Sequence, residues 1–176
     1  TIAVGGNLMG STRNGDQYAP LGTIRFDGSG TASDPQVLEA MSADLGSVAA
    51  GFLRNFAYGT VALTNNTYVK LTDQADNTPA TGAEGVYANS LVVPAGCVLD
   101  LNGLSLYTRL TQITGTILGG TVTQIPDGGR LNMNTPFPGS ISLGGELDEW
   151  TFFGRGGQTI TMFVNPSEAG GIPALA

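Results

Sequence analysis

Short hydrophobic runs separated by turn-forming residues recur through the middle of the sequence. Residues 90–109, SLVVPAGCVLDLNGLSLYTR, contain three such runs, with a Pro-Ala-Gly corner after the first and Asn102-Gly103 after the second. An ordinary β-sandwich has longer strands, with turn signals every ~8–12 residues. The shorter spacing favours a chain that turns at each corner and adds short strands to stacked parallel sheets.

The predicted fold class is therefore all-β, with a short right-handed parallel β-solenoid (β-helix) over residues 1–125. Glycines at the corners supply the positive φ angles that such turns need. Asn102 either occupies a turn or forms an internal polar ladder, and the Asn-Gly context favours the turn. The aliphatic residues expected to stack in the interior are Leu91, Val93, Val98, Leu99, Leu101, Leu104, Leu106, Leu110, Ile113, Ile117, Val122 and Ile125.

One segment has a helical pattern instead. SDPQVLEAMSADLG offers Asp34 as N-cap, Pro35 at the first helical position and Gly46 just past the end. One face of such a helix would carry Val37, Leu38, Met41 and Leu45, with Glu39 and Asp44 facing outward. The sequence predicts one amphipathic helix over residues 34–45, which would cap the open end of the solenoid.

The pattern changes after residue 125. Residues 126–138 are rich in Gly and Pro and are predicted to be a linker. Residues 139–176 are predicted to form a partial β-sandwich, with strands around 147–153 and 158–164. An incomplete sheet here would expose an apolar face, and the residues predicted for a subunit interface are Trp150, Phe152, Phe153, Ile160, Met162 and Phe163.

Composition narrows the class of protein. Hydrophobic residues make up 41%, which favours a packed chain over disorder, while only 12% are charged. The net charge of −7 and six isolated arginines argue against nucleic acid and anionic membrane surfaces. No run approaches the ~18 apolar residues of a membrane span. A single lysine and abundant Thr, Asn and Gly suit an extracellular bacterial protein, and a start at Thr1 suggests processing or excision.

Little catalytic chemistry is available. Histidine is absent, which excludes Ser-His and Cys-His nucleophiles within this chain. Asp100 could pair with Asp73 or Asp76 as glycosidase acids, but the spacing gives no reason to join them. Cys97 is alone in an apolar run, which is typical of a buried, inert thiol. The chain is predicted not to be an enzyme and to need no cofactor.

Two polar features have a functional and a structural interpretation. The loop DQADNTPATGAE carries oxygen ligands that Ca²⁺ accepts, but its spacing matches no EF-hand, so a solvated loop is favoured. Its candidate ligands are Asp73, Asp76, Asn77 and Glu84. Strand tyrosines could form a platform for polysaccharide, although a structural row is favoured; they are Tyr58, Tyr68, Tyr87 and Tyr107.

Several stretches resemble known families. LVVPAGCVLDLNGLSL (91–106) resembles the strand-and-corner pattern of parallel β-helix proteins. Over residues 23–125, FDGSGTASDPQVLEAMSADLGS, NFAYGTVALTNNTYVKLTD and VYANSLVVPAGCVLDLNGLSLYTR resemble a module of very large, repeat-rich secreted bacterial proteins. That resemblance implies secretion but no assigned activity.

Residues 139–164, GSISLGGELDEWTFFGRGGQTITMFV, resemble the opening of the bacterial pre-peptidase C-terminal (PPC) domain. The matching residues are Gly145, Glu146, Leu147, Asp148, Trp150, Phe152, Gly157, Gln158 and Thr159. The family implies a small β-sandwich, attached to secreted enzymes and adhesins, that contacts surfaces, carbohydrate or collagen. The sequence ends after the first strands of the pattern. Either it is a fragment of a longer protein, or another chain completes the sandwich by strand addition.

These observations predict a non-catalytic extracellular structural protein. It would be a subunit or repeat of a surface fibre, sheath or giant adhesin, forming a homo-oligomer or filament through its C-terminal β-layer. The alternative is a carbohydrate-binding module of a secreted enzyme, with extracellular polysaccharide as its partner. A third interpretation is an enzyme fragment whose catalytic residues are not recognisable.

Overall fold

The computed structural model describes residues 1–15, 22–79, 82–126, 128–131, 133–136, 139 and 148–164. Within these residues the regular structure is almost entirely β, with one 3₁₀ turn at Ala49–Phe52 and no α-helix. The strands in chain order are β1 (Ile2–Val4), β2 (Thr23–Phe26), β3 (Gln36–Glu39), β4 (Ser42–Ala43), β5 (Tyr58–Leu63), β6 (Tyr68–Thr72), β7 (Glu84–Val93), β8 (Val98–Asp100), β9 (Leu106–Ile113), β10 (Thr116–Leu118), β11 (Val122–Gln124), β12 (Gly128–Arg130) and β13 (Glu149–Thr151).

Most strands belong to two parallel sheets. The first has the order β1-β2-β5-β7-β9-β11, and the second has the order β10-β8-β6-β3. From β2 to β11 the chain alternates between these sheets, with β4 as the exception, because β4 pairs antiparallel with β7. Each return to a sheet places the new strand beside the previous one in parallel register.

The core lies where the inward faces of the two sheets meet. In the first sheet, Ile24, Val61 and Leu91 occupy one register position on successive strands. In the second, Leu99 pairs with Val69 on one side and with Ile117 on the other. Side chains alternate between the faces of a strand, so each such row buries one face and leaves the next position partly exposed. Leu91 and Leu99 are both completely buried in the same hydrophobic cluster.

Tight corners join the two sheets. Asn65 and Asn66 between β5 and β6 have φ angles of 57° and 55°, and Gly96 between β7 and β8 has 87°. A Cβ on Gly96 would collide with Asn66 Oδ1, so the corner needs glycine for packing as well as for φ. Asn102 is exposed in the next corner with φ 51°, and its Nδ2 donates to Leu71 O at 3.2 Å. Asn102 therefore occupies the turn, not an internal ladder.

The predicted fold class, a helix-capped solenoid, is wrong. Residues 34–45 contain strands β3 and β4 instead of a helix, so the proposed cap does not exist, and the described part of the chain shows parallel sheets without an α-helix. The apparent N-cap is a turn, in which Asp34 N donates to Thr31 O and Thr31 N donates to Asp34 O. Pro35 then precedes an extended segment that pairs in parallel with β6. Ladder pairing and burial of Leu38 override the local helical signal.

The C-terminal part also differs from its prediction. β12 lies inside the segment predicted as a linker and pairs in parallel with β13 in a two-stranded sheet. Among the described residues of the predicted strand around 147–153, residues 149–151 are β, and residues 158–164 are not in a strand. Residues 140–147 and 165–176, which hold part of the PPC-like match and the tail, lie outside the described residues.

Candidate interaction surface

The segment 152–164, after β13, carries most of the predicted interface residues. Phe153 is 69% exposed and Phe163 is 95% exposed, although both are large aromatic side chains. Met162 and Phe152 are also exposed, while Trp150 and Ile160 are partly buried. Four of the six predicted side chains therefore face solvent within one short stretch of chain.

This segment has a local turn but little other backbone pairing. Gln158 N donates to Arg155 O at 3.1 Å, which closes the turn through Gly156-Gly157. Before the turn, an added Cβ at Gly154 would lie 3.2 Å from Ile160 Cδ1 and 3.5 Å from a ring carbon of Phe152, so these two side chains flank the glycine. The turn partly covers Phe152 and Ile160 and leaves Phe153, Met162 and Phe163 outside.

The sheet that supports this segment is small. β12 and β13 pair only with each other among the described strands. An isolated two-stranded sheet is marginal in water, and further strands or packing are needed to stabilise it. The exposed side chains therefore follow directly on a β-layer of two described strands.

The strand tyrosines do not form a solvent-facing platform. Tyr58 and Tyr87 are buried, and Tyr107 stacks on Tyr87 with the ring centroids 4.7 Å apart. Phe52 packs edge-on against Tyr87 at 5.3 Å, and the guanidinium of Arg109 lies 4.4 Å over the Phe52 ring. These rings fix the 3₁₀ turn to the first sheet.

Hydrogen bonds tie the same aromatic cluster to the chain after β4. Tyr87 Oη donates to Gly46 O at 2.7 Å, and Tyr107 Oη donates to Asp44 Oδ1 at 2.8 Å. Burial raises the pKa of Tyr87 to about 12. Burial alone would raise the pKa of Asp44, but hydrogen bonds from Ser105, Gly46 and Tyr107 outweigh it and lower that pKa. The fourth tyrosine, Tyr68, donates to Asp100 Oδ2 at 3.0 Å.

The candidate calcium loop is partly buried, not simply solvated. Glu84 is 3% exposed, and its Oε1 accepts hydrogen bonds from Asn77 N at 2.5 Å and Thr78 N at 2.7 Å. Asp73 Oδ2 accepts from Glu84 N at 3.1 Å, while the Asp76 carboxylate pairs with Arg13. Asp73, Asn77 and Glu84 are thus hydrogen-bonded to one another, whereas Asp76 is paired with Arg13. In the part of the chain that the structure describes, no three His, Cys, Asp or Glu side chains gather as a metal site.

Sequence reasoning missed a second buried carboxylate. Glu39, predicted to face outward from a helix, is fully buried on β3. Its Oε1 accepts from Gln74 N and Ala75 N, both at 2.6 Å, and its Oε2 accepts from Thr72 Oγ1 at 2.8 Å. Glu39 ends β3 and Glu84 begins β7, and neither position carries a local sequence signal that distinguishes a buried carboxyl from an exposed one.

The remaining chemical candidates are also accounted for. Cys97 is a free, buried thiol at a corner. Asp100 is held by Tyr68 and accepts a hydrogen bond from Asn102 N at 2.9 Å. Among the described residues, no helix is long and apolar enough to cross a bilayer.

Comparison with known proteins gives no relative. No family model matches the sequence, and neither a curated protein nor a solved structure is similar enough to count as a match. The β-helix-like, repeat-module and PPC-like resemblances therefore rest on the quoted residues alone.

Proposed function

We propose that this chain is a non-catalytic extracellular structural protein, a subunit or repeat of a surface fibre, sheath or giant adhesin. Its C-terminal β-layer, made of β12, β13 and residues 152–164, would be completed by strands of a neighbouring copy. The observation that carries the proposal is the exposure of Phe153, Met162 and Phe163 beside a sheet in which the structure describes two strands.

Strand addition suits this segment because it satisfies backbone and side chains together. A neighbouring strand would supply hydrogen-bond partners to the backbone of residues 152–164 while covering the exposed apolar side chains. Full burial of Phe153, Met162 and Phe163 would contribute about 5–9 kcal/mol, at about 1.5–3 kcal/mol each. Association costs about 4–15 kcal/mol in lost translational and rotational freedom. Side-chain burial alone therefore roughly offsets this cost, and backbone pairing must supply the remainder.

The geometry of addition decides between a closed dimer and a polymer. If the segment of one copy completes the layer of the next, the contact joins two different surfaces and does not close unless the rotation happens to form a ring. Repetition then gives a filament. A reciprocal exchange between two copies would give a closed dimer instead.

Composition supports an extracellular location. The chain has one lysine, a net charge of −7 and abundant Thr, Asn and Gly, a composition that suits the surface of an extracellular bacterial protein. The carbohydrate-binding alternative has less support, because Tyr58 and Tyr87 are buried and Tyr107 packs on Tyr87.

Sedimentation velocity and electron microscopy of the whole chain over a range of concentrations test the proposal. We expect the wild type to form filaments, and a double Phe153→Ser, Phe163→Ser variant to remain monomeric with an unchanged thermal midpoint. Leu53→Ser is the matched control, because Leu53 is 70% exposed in a different region and its loss should leave assembly intact.

Two results would overturn the proposal. One is a wild type that stays monomeric at all concentrations, and the other is a double variant that assembles as the wild type does. The intact mass of the native protein then separates a subunit from a fragment whose missing residues complete the layer within one chain.

A further inference from the structure

A second feature, independent of the C-terminal segment, concerns the buried carboxyl of Glu84. Its Oε1 accepts two backbone N–H groups, but its Oε2 is buried and has no hydrogen-bond partner in the described structure. A buried, unpartnered charged oxygen is costly, whereas a protonated one can donate. The protonation state of the Glu84 carboxyl therefore decides whether Oε2 is a buried charge without a partner or a hydrogen-bond donor.

The residue that contacts Glu84 has an unsatisfied atom of its own. Asn77 is 1% exposed, its backbone N donates to Glu84 Oε1, and its Oδ1 is buried without a donor. A proton on Glu84 Oε2 would provide a donor on the side chain that already binds the Asn77 backbone. Both unsatisfied atoms belong to one pair of contacting residues.

Asn77 also holds the N-terminal segment. Its Nδ2 donates to Gly10 O at 3.2 Å and to Thr12 O at 2.9 Å. Arg13 adds a hydrogen bond from its Nε to Asp76 O at 3.1 Å and an exposed ion pair with the Asp76 carboxylate. Because an exposed ion pair contributes little, Asn77 is the principal anchor of residues 10–13.

The anchored segment continues directly from a stretch that covers a sheet edge. Leu8 forms a parallel bridge with Leu38 of β3, which is an edge strand of the second sheet. Leu8 N donates to Val37 O at 2.8 Å, and Glu39 N donates to Leu8 O at 2.9 Å. Val37 N also donates to Asn7 Oδ1 at 2.9 Å, so residues 7 and 8 cover the β3 edge, and an uncovered edge is a site for unwanted strand pairing.

We propose that Glu84 is a proton-dependent latch that, with a proton on Oε2, holds loop 73–79 in the form that anchors residues 10–13, the segment that directly follows the residues paired with the β3 edge. Ionisation of Glu84 weakens this anchor and loosens the N-terminal segment.

The charges around Glu84 favour the proton. The groups on the surrounding elements are Asp73 and Asp76 of the loop, Arg13 of the N-terminal segment, Glu39 of β3, and Asp44 after β4, which is bound by Tyr107 of β9. The one cation in this group, Arg13, is engaged by Asp76.

The balance of interactions gives the direction of the pH dependence. Burial raises the pKa of Glu84, and the charges of Asp73 and Asp76 act in the same direction, against the lowering effect of the Asn77 and Thr78 N–H groups. A carboxyl whose pKa is raised by folding stabilises the folded state fully below its unfolded pKa. That contribution is lost as the pH rises through the folded pKa.

Hydrogen–deuterium exchange of the whole chain, corrected for intrinsic rates and followed between about pH 4 and pH 8, tests the latch. In the wild type, protection of residues 8–13 and 74–78 should fall as the pH rises, relative to the central strands β7 and β9. Glu84→Gln should keep these segments protected throughout, because glutamine retains the acceptor for two amides and gains a donor. Asp34→Asn, which removes an exposed carboxylate elsewhere, should behave as the wild type does.

The titration of the Glu84 carboxyl carbon, followed by NMR in the wild type, keeps the test independent of how well the variants fold. Its inflection should lie above that of an ordinary glutamate and coincide with the loss of protection. An ordinary titration, or the same pH profile in Glu84→Gln, would overturn the latch. So would recovery of protection at high pH on adding Ca²⁺ or Mg²⁺, because Oε2 would then be a cation ligand.

Discussion

Two buried glutamates hold the loop at residues 73–79 from opposite ends. Glu39 accepts the backbone N–H groups of Gln74 and Ala75, and Glu84 accepts those of Asn77 and Thr78. The loop forms no strand here, so these amides take their acceptors from the two side chains, at buried positions for Asn77 and Thr78 and at more exposed ones for Gln74 and Ala75. The two carboxyls differ in one respect, because both oxygens of Glu39 are occupied whereas Oε2 of Glu84 is not.

Removal of the Glu39 carboxyl is therefore expected to destabilise the protein at neutral pH. Glu39→Ala leaves two amides and the Thr72 hydroxyl without their acceptor, at about 1 kcal/mol for each lost hydrogen bond. We expect the free energy of unfolding to fall by roughly 3 kcal/mol in urea denaturation. Glu39→Gln should lose much less, because its amide oxygen can accept the two N–H groups and its NH₂ can donate to the Thr72 hydroxyl, which also accepts.

Asp34→Ala is the control for that prediction. Asp34 is exposed, so its replacement should change the free energy of unfolding by less than about 0.5 kcal/mol. A loss at Glu39 as small as this would show that water reaches the loop amides and that the carboxylate does not organise them.

At the scale of the element, the corners were easier to predict from sequence than the strands. Asn102-Gly103 and the Pro-Ala-Gly corner have local reasons for their positions, because positive φ restricts them to glycine and asparagine. The helical signal at 34–45 was also local, but the outcome depended on β6, which pairs with β3 from far along the chain. The burial of Glu39 and Glu84 depended likewise on distant residues, so sequence pattern could not reveal it.

Two corner glycines provide a matched test of these local requirements. Gly96 and Gly103 have similar φ angles of 87° and 81°, but only at Gly96 would a Cβ meet another atom, Asn66 Oδ1. Gly103→Ala should cost about 1–2 kcal/mol from the left-handed backbone alone. Gly96→Ala should cost more, because it adds a collision at a packed corner.

Urea denaturation of both variants measures the difference. Gly5→Ala is the control, since Gly5 lacks a positive φ and has open space around its Cβ position; its stability should change little. Equal losses of unfolding free energy at Gly96 and Gly103 would mean that Asn66 moves aside. The corner between β5 and β6 would then not constrain the corner between β7 and β8.

At the scale of the whole molecule, local stability should differ across the first sheet, highest at its central strands and lowest at its edges. β5, β7 and β9 each have neighbours on both sides in the first sheet, whereas β1 and β11 each have one described neighbour. The backbone amides of a parallel strand are protected from exchange only while the strands on both sides of it remain paired. Opening should therefore begin at the ends and reach the central strands last. The sheet of β12 and β13 is separate from the two larger sheets, and each of its strands has one described neighbour.

Amide exchange measured at two protein concentrations distinguishes this gradient from assembly. In dilute solution we expect the slowest exchange in β7 and the fastest in residues 152–164. Within the first sheet, exchange should be faster in the edge strands β1 and β11 than in the central strand β7. At high concentration, residues 152–164 should gain protection while β7 remains unchanged, because strand addition pairs the C-terminal backbone without altering the core.

The Phe153→Ser, Phe163→Ser variant should keep the dilute pattern at both concentrations. If residues 152–164 were already protected in dilute solution, the layer would be complete within one chain. If they gained nothing at high concentration, the exposed side chains would have no partner in another copy.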